Sequence, residues 1–481
     1  MRFKTVVMLG LLLSVSNAGP PTSRAQAEAP GLEPLEPAVD WVRAHVVLDG
    51  ATVWTVSGEV YAPGWVEINE GRILRVGSGA APKVEGAEVL DLQGKHVTPG
   101  LIDTHSHLGV YPSPRVGAHA DGNEATKPVT AGVWAEHSVW PQDPGFRRAV
   151  QGGVTTLQIL PGSANLVGGR GVVLQLLPAR GARAMRFPGA PETVKLACGE
   201  NPKRVYKSRG PSTRMGNLHG QRKAFIEAEA YRKKWKKYED KAKTSREERE
   251  AWKRDNARRI ERGRDPKDPK PKGPGDPPTR DLDKDTLAGV LDGQILPQIH
   301  CYRADDMLSM LQVAQEFGFR VRSFHHAVEA YKIRELLAEH EVSVSTWADW
   351  WGFKLEAHDA VMANAALLHA SGARAIIHSD SEIGIQRLNQ EAAKALRAGR
   401  ELGLDLSESD ALSWITANAA WALGIQDQTG RLATGPSTSV RRVRRLRRGG
   451  GGLGRLTPAP SERPRPPLAP CTSTSPDAST T

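Results

Sequence analysis

Two histidines one residue apart, His105 and His107, close an apolar run that reads VTPGLIDT. In an extended chain, residues i and i+2 project to the same face. A His-x-His pair at a strand end therefore offers two imidazoles to one cation. An HxH alone is a weak signal. The Pro-Gly break and the apolar stretch before it set this one at the tip of a buried strand. In a barrel of parallel strands, catalytic groups gather at those C-terminal tips.

The chain has the pieces for such a barrel. From Gly100 onward, short apolar runs (LIDTH, VTTLQIL, GVVLQLL, ILPQIHC, VSVSTWA, ARAIIHSD) alternate with helical stretches such as DDMLSMLQVAQEFG and AYKIRELLAEH. Repeated strand–helix units argue for an α/β protein with a parallel sheet or barrel. Residues 45–98 differ. Their alternating runs break at glycine or proline and predict a small β-rich unit. A TIM-type (β/α)8 barrel over 99–425 with a β-sandwich side domain fits 481 residues.

Further chemistry-bearing residues fall at later strand ends. His300 ends ILPQIH, His325 and His326 end VRSFHH, Asp380 ends AIIHSD, and Lys195 lies within ETVKLAC. Singly each has an ordinary reading: a hydrogen-bonded core histidine, a helix N-cap, a lysine paired with an acid. Taken in order on separate strands, they support one another as a metal site. TWADWWGFK puts Trp347, Asp349, Trp350, Trp351 and Lys354 after another strand. The aromatics could wall a pocket or pack against other parts of the protein, and Lys354 could meet an anionic group. Tyr302 and Arg303, just past His300, are similar candidates.

HVTPGLIDTHSHLG, the later histidines and HSD resemble the metal-dependent amidohydrolase superfamily. Within it the chain is most similar to the exported, imidazolonepropionase-like branch, at PGSANLVGGRGVVLQL, FPGAPETVKLACGENPKR, QIHCYRADDM, HHAVEAYKI and HSDSEIGIQRLNQEAAKAL. The resemblance spans residues 45–435. It implies that His105 and His107 are first-strand metal ligands and that Lys195 stands where a lysine is carboxylated in binuclear members. His300 and His326 resemble the fifth- and sixth-strand ligands, and Asp380 an aspartate that ligates and shuttles protons. Glu200 is an alternative to Lys195, and His325 to His326. The implied cofactor is one or two divalent ions. Zinc leads for a His/carboxylate site, with iron, manganese or cobalt compatible. The implied reaction is attack of metal-activated water on an amide or cyclic amide C–N bond. A cyclic amide, a dipeptide or an N-acyl compound would each fit as substrate. A homo-oligomer is compatible with the family.

The two ends of the chain differ from its body. Residues 1–27 carry a basic start (Arg2, Lys4), an apolar run from Val6 to Val15 and small residues ending Ala25-Gln26-Ala27. They read as an export signal, with Ser16-Asn17-Ala18 as an alternative cleavage site, and so predict a periplasmic or secreted protein. The run is too short to anchor the chain stably in a membrane. The formal charge is +11, but residues 1–27 hold +3 and 436–481 hold +7, leaving +1 for the body. A nearly neutral body gives no reason to expect a nucleic-acid partner; a small molecule or short peptide is the expected one. The charged stretch 220–285 interleaves Lys and Arg with Glu and Asp and ends in a proline-rich linker, as in a solvated helical insertion.

After GRLATG, relatives continue with a stretch like ADVVVW, whereas this chain turns to PSTSVRRVRRLRRGGGG. The change resembles a shift of reading frame. It predicts a disordered tail over 436–481 and an incomplete side domain. A barrel that keeps its pocket but has lost catalysis is therefore the alternative to an active hydrolase. Cys198, Cys301 and Cys471 are odd in number and widely spaced. They read as neither a disulfide framework nor a CxxC metal site, and the first two as small core residues.

Overall fold

The turn Glu70-Gly71 shows how local chemistry builds the N-terminal unit. Both residues have positive φ, 46° and 78°. That is the backbone of the two-residue hairpin turn whose twist matches its strands. In the computed structural model, which describes residues 6–8, 45–268, 270–350 and 352–433, this turn joins two strands of a six-stranded sheet. The strands are β1 (Val6–Met8), β2 (Val46–Trp54), β3 (Val60–Asn69), β4 (Arg72–Ser78), β5 (Glu88–Asp91) and β6 (His96–Thr98). Their order is β1-β6-β2-β3-β4, with β5 also on β2. Val46, Leu48, Val53, Val66, Ile68 and Val97 are buried on it together with Leu432 from the far end of the described chain. Of the expected export segment only β1 is described, pairing parallel with β6. The expected tail lies outside the described residues.

Eight further strands form the barrel sheet: β7 (Leu101–Ser106), β8 (Val154–Ile159), β9 (Val167–Gln175), β10 (Glu192–Ala197), β11 (Ile295–Cys301), β12 (Ser323–His326), β13 (Ser343–Thr346) and β14 (Arg374–Ile377). They neighbour one another in chain order. Seven run parallel, but β9 is antiparallel to both β8 and β10. This departs from a uniform (β/α)8 barrel, and the connection explains it. Only residues 160–166 separate β8 from β9, enough for a hairpin and too few for a crossover helix.

The gap between β14 and β7 is closed at the tips by a buried carboxylate. Asp103 accepts from the Ser379 backbone N–H at 3.1 Å, from the Ser379 hydroxyl, and from the His105 N–H at 3.1 Å. The Asp380 N–H donates to the His105 carbonyl at 3.0 Å. Burial pushes the Asp103 carboxyl up to about 7. Asp103→Ala strands these donors away from water, at about 1–3 kcal/mol each for an unmet buried group. A fall in the chemical-denaturation midpoint is the expected result.

The charged stretch is a 48-residue helix, Arg214–Glu261, about 70 Å long. It starts earlier than its composition suggests. Thr213 caps it, and Asn217, Gln221, Ala224, Phe225, Ala228 and Tyr231 are buried at helical spacing. Phe225 stacks on Phe317 and Phe319 at 5.5 and 4.6 Å. Beyond Tyr231 only Ser245 and Asn256 are buried. The Ser245 hydroxyl and the Asn256 side chain bond to the returning backbone at Lys272 and Lys267, at 2.7 Å each. The spacing of the cysteines concealed a pair: Cys198 and Cys301 are joined by a disulfide, Cα atoms 5.4 Å apart. Ala197 pairs with His300 in the parallel register of β10 and β11. One step further along both strands brings two residues separated by 103 positions together.

Candidate metal centre

The tips of β7, β10, β11 and β12 and the residues after β14 bring His105, His107, Lys195, His300, His326 and Asp380 together. His107 Nδ1 lies 2.8 Å from the Leu160 carbonyl, which can only accept. Nδ1 therefore carries the proton, and in the neutral ring Nε2 is a bare lone pair. That lone pair faces Asp380 Oδ1 at 3.2 Å. Two acceptors hold this distance only with a proton or a cation between them. His105 Nε2 lies 3.8 Å from the same oxygen, and His326 Nδ1 lies 3.7 Å from Oδ2. His300 Nδ1 is held by the Ser163 hydroxyl at 2.7 Å. Its Nε2, like His326 Nδ1, is buried with no hydrogen-bond partner. His105, His326 and Asp380 offer donor atoms close enough to share one ion. These unpartnered buried ring nitrogens, His326 Nδ1 beside a carboxylate, fit a divalent cation.

Local backbone sets two of these groups. His326 has φ 71° and Asp380 φ 47°, a region few non-glycine residues enter. The turn at His326 lets consecutive histidines, which would face opposite ways in a regular strand, both reach His105. Ring centroids are 4.8 Å away for His325 and 4.6 Å for His326. Lys195 is fully buried. Its Nζ donates to the Pro161 carbonyl at 3.0 Å and stands 3.3 Å from His105 Nε2. Burial pulls its amine down to about 7. Burial pushes the Asp380 carboxyl up, but the contact with His107 and the neighbouring His378 and Lys195 outweigh it and hold the carboxyl below its ordinary value.

The other candidates divide. Glu200 is the first residue of a short helix, and its carboxylate turns to Arg204 at 3.9 Å. Among the described residues it joins no group of potential ligands. Arg303 pairs with Asp305 at 2.9 Å, and Asp349 with Lys394 at 2.6 Å. Tyr302 and Trp347 do reach the site, stacking on His326 at 5.2 and 4.8 Å, with Trp350 on Trp347 at 5.5 Å. Lys354 Nζ sits 3.9 Å over the Tyr302 ring, 3.1 Å from Asn201 Oδ1 and 3.2 Å from Glu356. Trp351 is outside the described residues.

Sequence reasoning missed Asp103, Ser163, Gln298 and His378. Of these, only Asp103 and His378 carried a signal, each two residues from a predicted ligand, His105 and Asp380.

No protein-family model matches the chain. It is 30% identical over 396 residues to the amidohydrolase tasK of Hapsidospora irregularis, covering 77% of this chain and 37% of that protein. Against the imidazolonepropionase of Fusobacterium nucleatum it is 48% identical over 48 residues, 9% of this chain and 12% of that one. The chain thus spans well under half of these curated relatives. A crystal structure of an amidohydrolase from Thermotoga maritima superposes with a TM-score of 0.66 at 31% identity, over 82% of this chain and 92% of that one. The chain belongs to the amidohydrolase superfamily of hydrolases. No helix among the described residues is long and apolar enough to cross a membrane.

Proposed function

We propose that the protein hydrolyses the C–N bond of an amide or cyclic amide at this centre, with one or two divalent ions, zinc foremost, held by His105, His107, His300, His326 and Asp380. The observation that carries the reading is the set of ring nitrogens of His105, His107 and His326 converging on Asp380, with the buried His326 Nδ1 left without a hydrogen-bond partner. When bound, such an ion would polarise the substrate carbonyl and make a water molecule acidic near neutral pH.

The chain's own groups do the rest. Asp380 is ionised and accepts the proton that water gives up as it adds to the carbonyl carbon. It returns that proton to the leaving nitrogen as the C–N bond breaks. Tyr302 and Trp347 wall the site and limit water. Lys354, poised over Tyr302, is placed to meet an anionic group such as a substrate carboxylate. In its neutral form the Lys195 amine can add carbon dioxide, losing a proton to give an N-carboxylate that would bridge two ions. Export of the chain, with cleavage after Ala27 or Ala18, belongs to the same reading. N-terminal sequencing of the mature protein should then begin at Glu28 or Gly19.

Lys195 gives the test of nuclearity. With a carboxylated lysine, purified protein should hold about two ions per chain. Lys195→Ala should lose hydrolysis and regain part of it with added short carboxylic acids. Full activity in Lys195→Ala with loss in Glu200→Ala would move the bridging role to Glu200.

A further inference from the structure

The carboxamide of Gln298, on β11 below His300, is fully buried and points inward. Its Nε2 donates to the Ala422 carbonyl at 3.2 Å, so its Oε1 is left to accept. His325 Nε2 lies 2.7 Å from Oε1 and must carry the proton. The neutral His325 ring then has a bare Nδ1. His105 Nδ1 is 3.0 Å from it and can only donate. His105 Nε2 is thereby left unprotonated, facing Lys195 and Asp380.

We infer that Gln298 and His325 form a hydrogen-bond relay that fixes the tautomer of His105, making His325 a positioning residue. The inference rests on the metal-centre reading above and resolves which of the adjacent histidines is the ligand. His105, His325 and His378 also sit close enough to share an ion of their own. The protons argue against that. His378 Nε2 accepts from the His326 N–H at 3.2 Å, so its Nδ1 is protonated. His105 would have to surrender both ring protons to serve two ions. Outer partners of this kind are worth about 10–100-fold in metal affinity.

The experiment measures zinc affinity by competition with a chromophoric chelator, zinc per chain by elemental analysis, and the visible spectrum of the cobalt-substituted protein. His325→Phe keeps the ring's bulk and removes the acceptor. It should weaken zinc by about 10–100-fold at unchanged stoichiometry and shift the cobalt bands. His325→Asn, whose Oδ1 can take the Nδ1 position, should recover most of the loss. Gln298→Leu frees His325 to flip its tautomer and should weaken zinc by a smaller factor. If His325→Phe does not fold, the Asn and Leu variants carry the comparison. Unchanged affinity in His325→Phe and Gln298→Leu would overturn the relay. So would loss of a whole equivalent of zinc in both His325→Phe and His325→Asn, which would make His325 a ligand. Wild-type protein without stoichiometric zinc, or zinc binding indifferent to His107→Ala, would instead overturn the metal centre itself and the relay with it.

Discussion

Replacing His105 and His107 together by alanine is expected to strip the protein of metal and bring hydrolysis to background while the barrel stays folded. Both rings stand at the tip of β7. Leu101 and Ile102, which root that strand in the apolar core, are untouched. Two acceptors lose their donors: His325 Nδ1 the His105 N–H 3.0 Å away, and the Leu160 carbonyl the His107 N–H 2.8 Å away. An unmet buried acceptor costs about 1–3 kcal/mol, enough to lower the melting temperature and too little to unfold a domain of this size. Elemental analysis beside circular dichroism separates the outcomes. Full metal occupancy in the double variant would place the site elsewhere.

Asp380→Asn is expected to lose about 10²–10⁴-fold in turnover, the usual worth of a positioned acid–base group, with the fold preserved. Its backbone φ of 47° is one that asparagine tolerates nearly as well as aspartate. The substitution therefore removes the proton acceptor without straining the turn after β14. Metal affinity should fall as well, because Oδ1 faces both His105 and His107. Assays at saturating metal separate the two effects: turnover restored by excess zinc would limit Asp380 to holding the ion.

Much of this was legible because HxH, HSD and the strand-end histidines are local signals, each tied to the two-residue period of a strand. What stayed hidden depends on contacts across the sheet. The reversal of β9 is decided by a seven-residue link, residues 160–166, that the apolar run GVVLQLL does not reveal. The Cys198–Cys301 pair exists only through the parallel register of β10 and β11. Arg303 and Glu200 sit beside motif residues in sequence, yet local ion pairs with Asp305 and Arg204 turn them away. The choice between His325 and His326 needed a backbone angle and the carboxamide of Gln298, neither of which a motif encodes.

The most direct test is a hydrolysis screen of peptides, lactams and N-acyl amino acids on purified protein, run before chelation, after chelation and after return of zinc. The account predicts hydrolysis of at least one of these classes, lost on chelation and restored by the metal. Hydrolysis that persists in full after every bound divalent ion has been removed would contradict it.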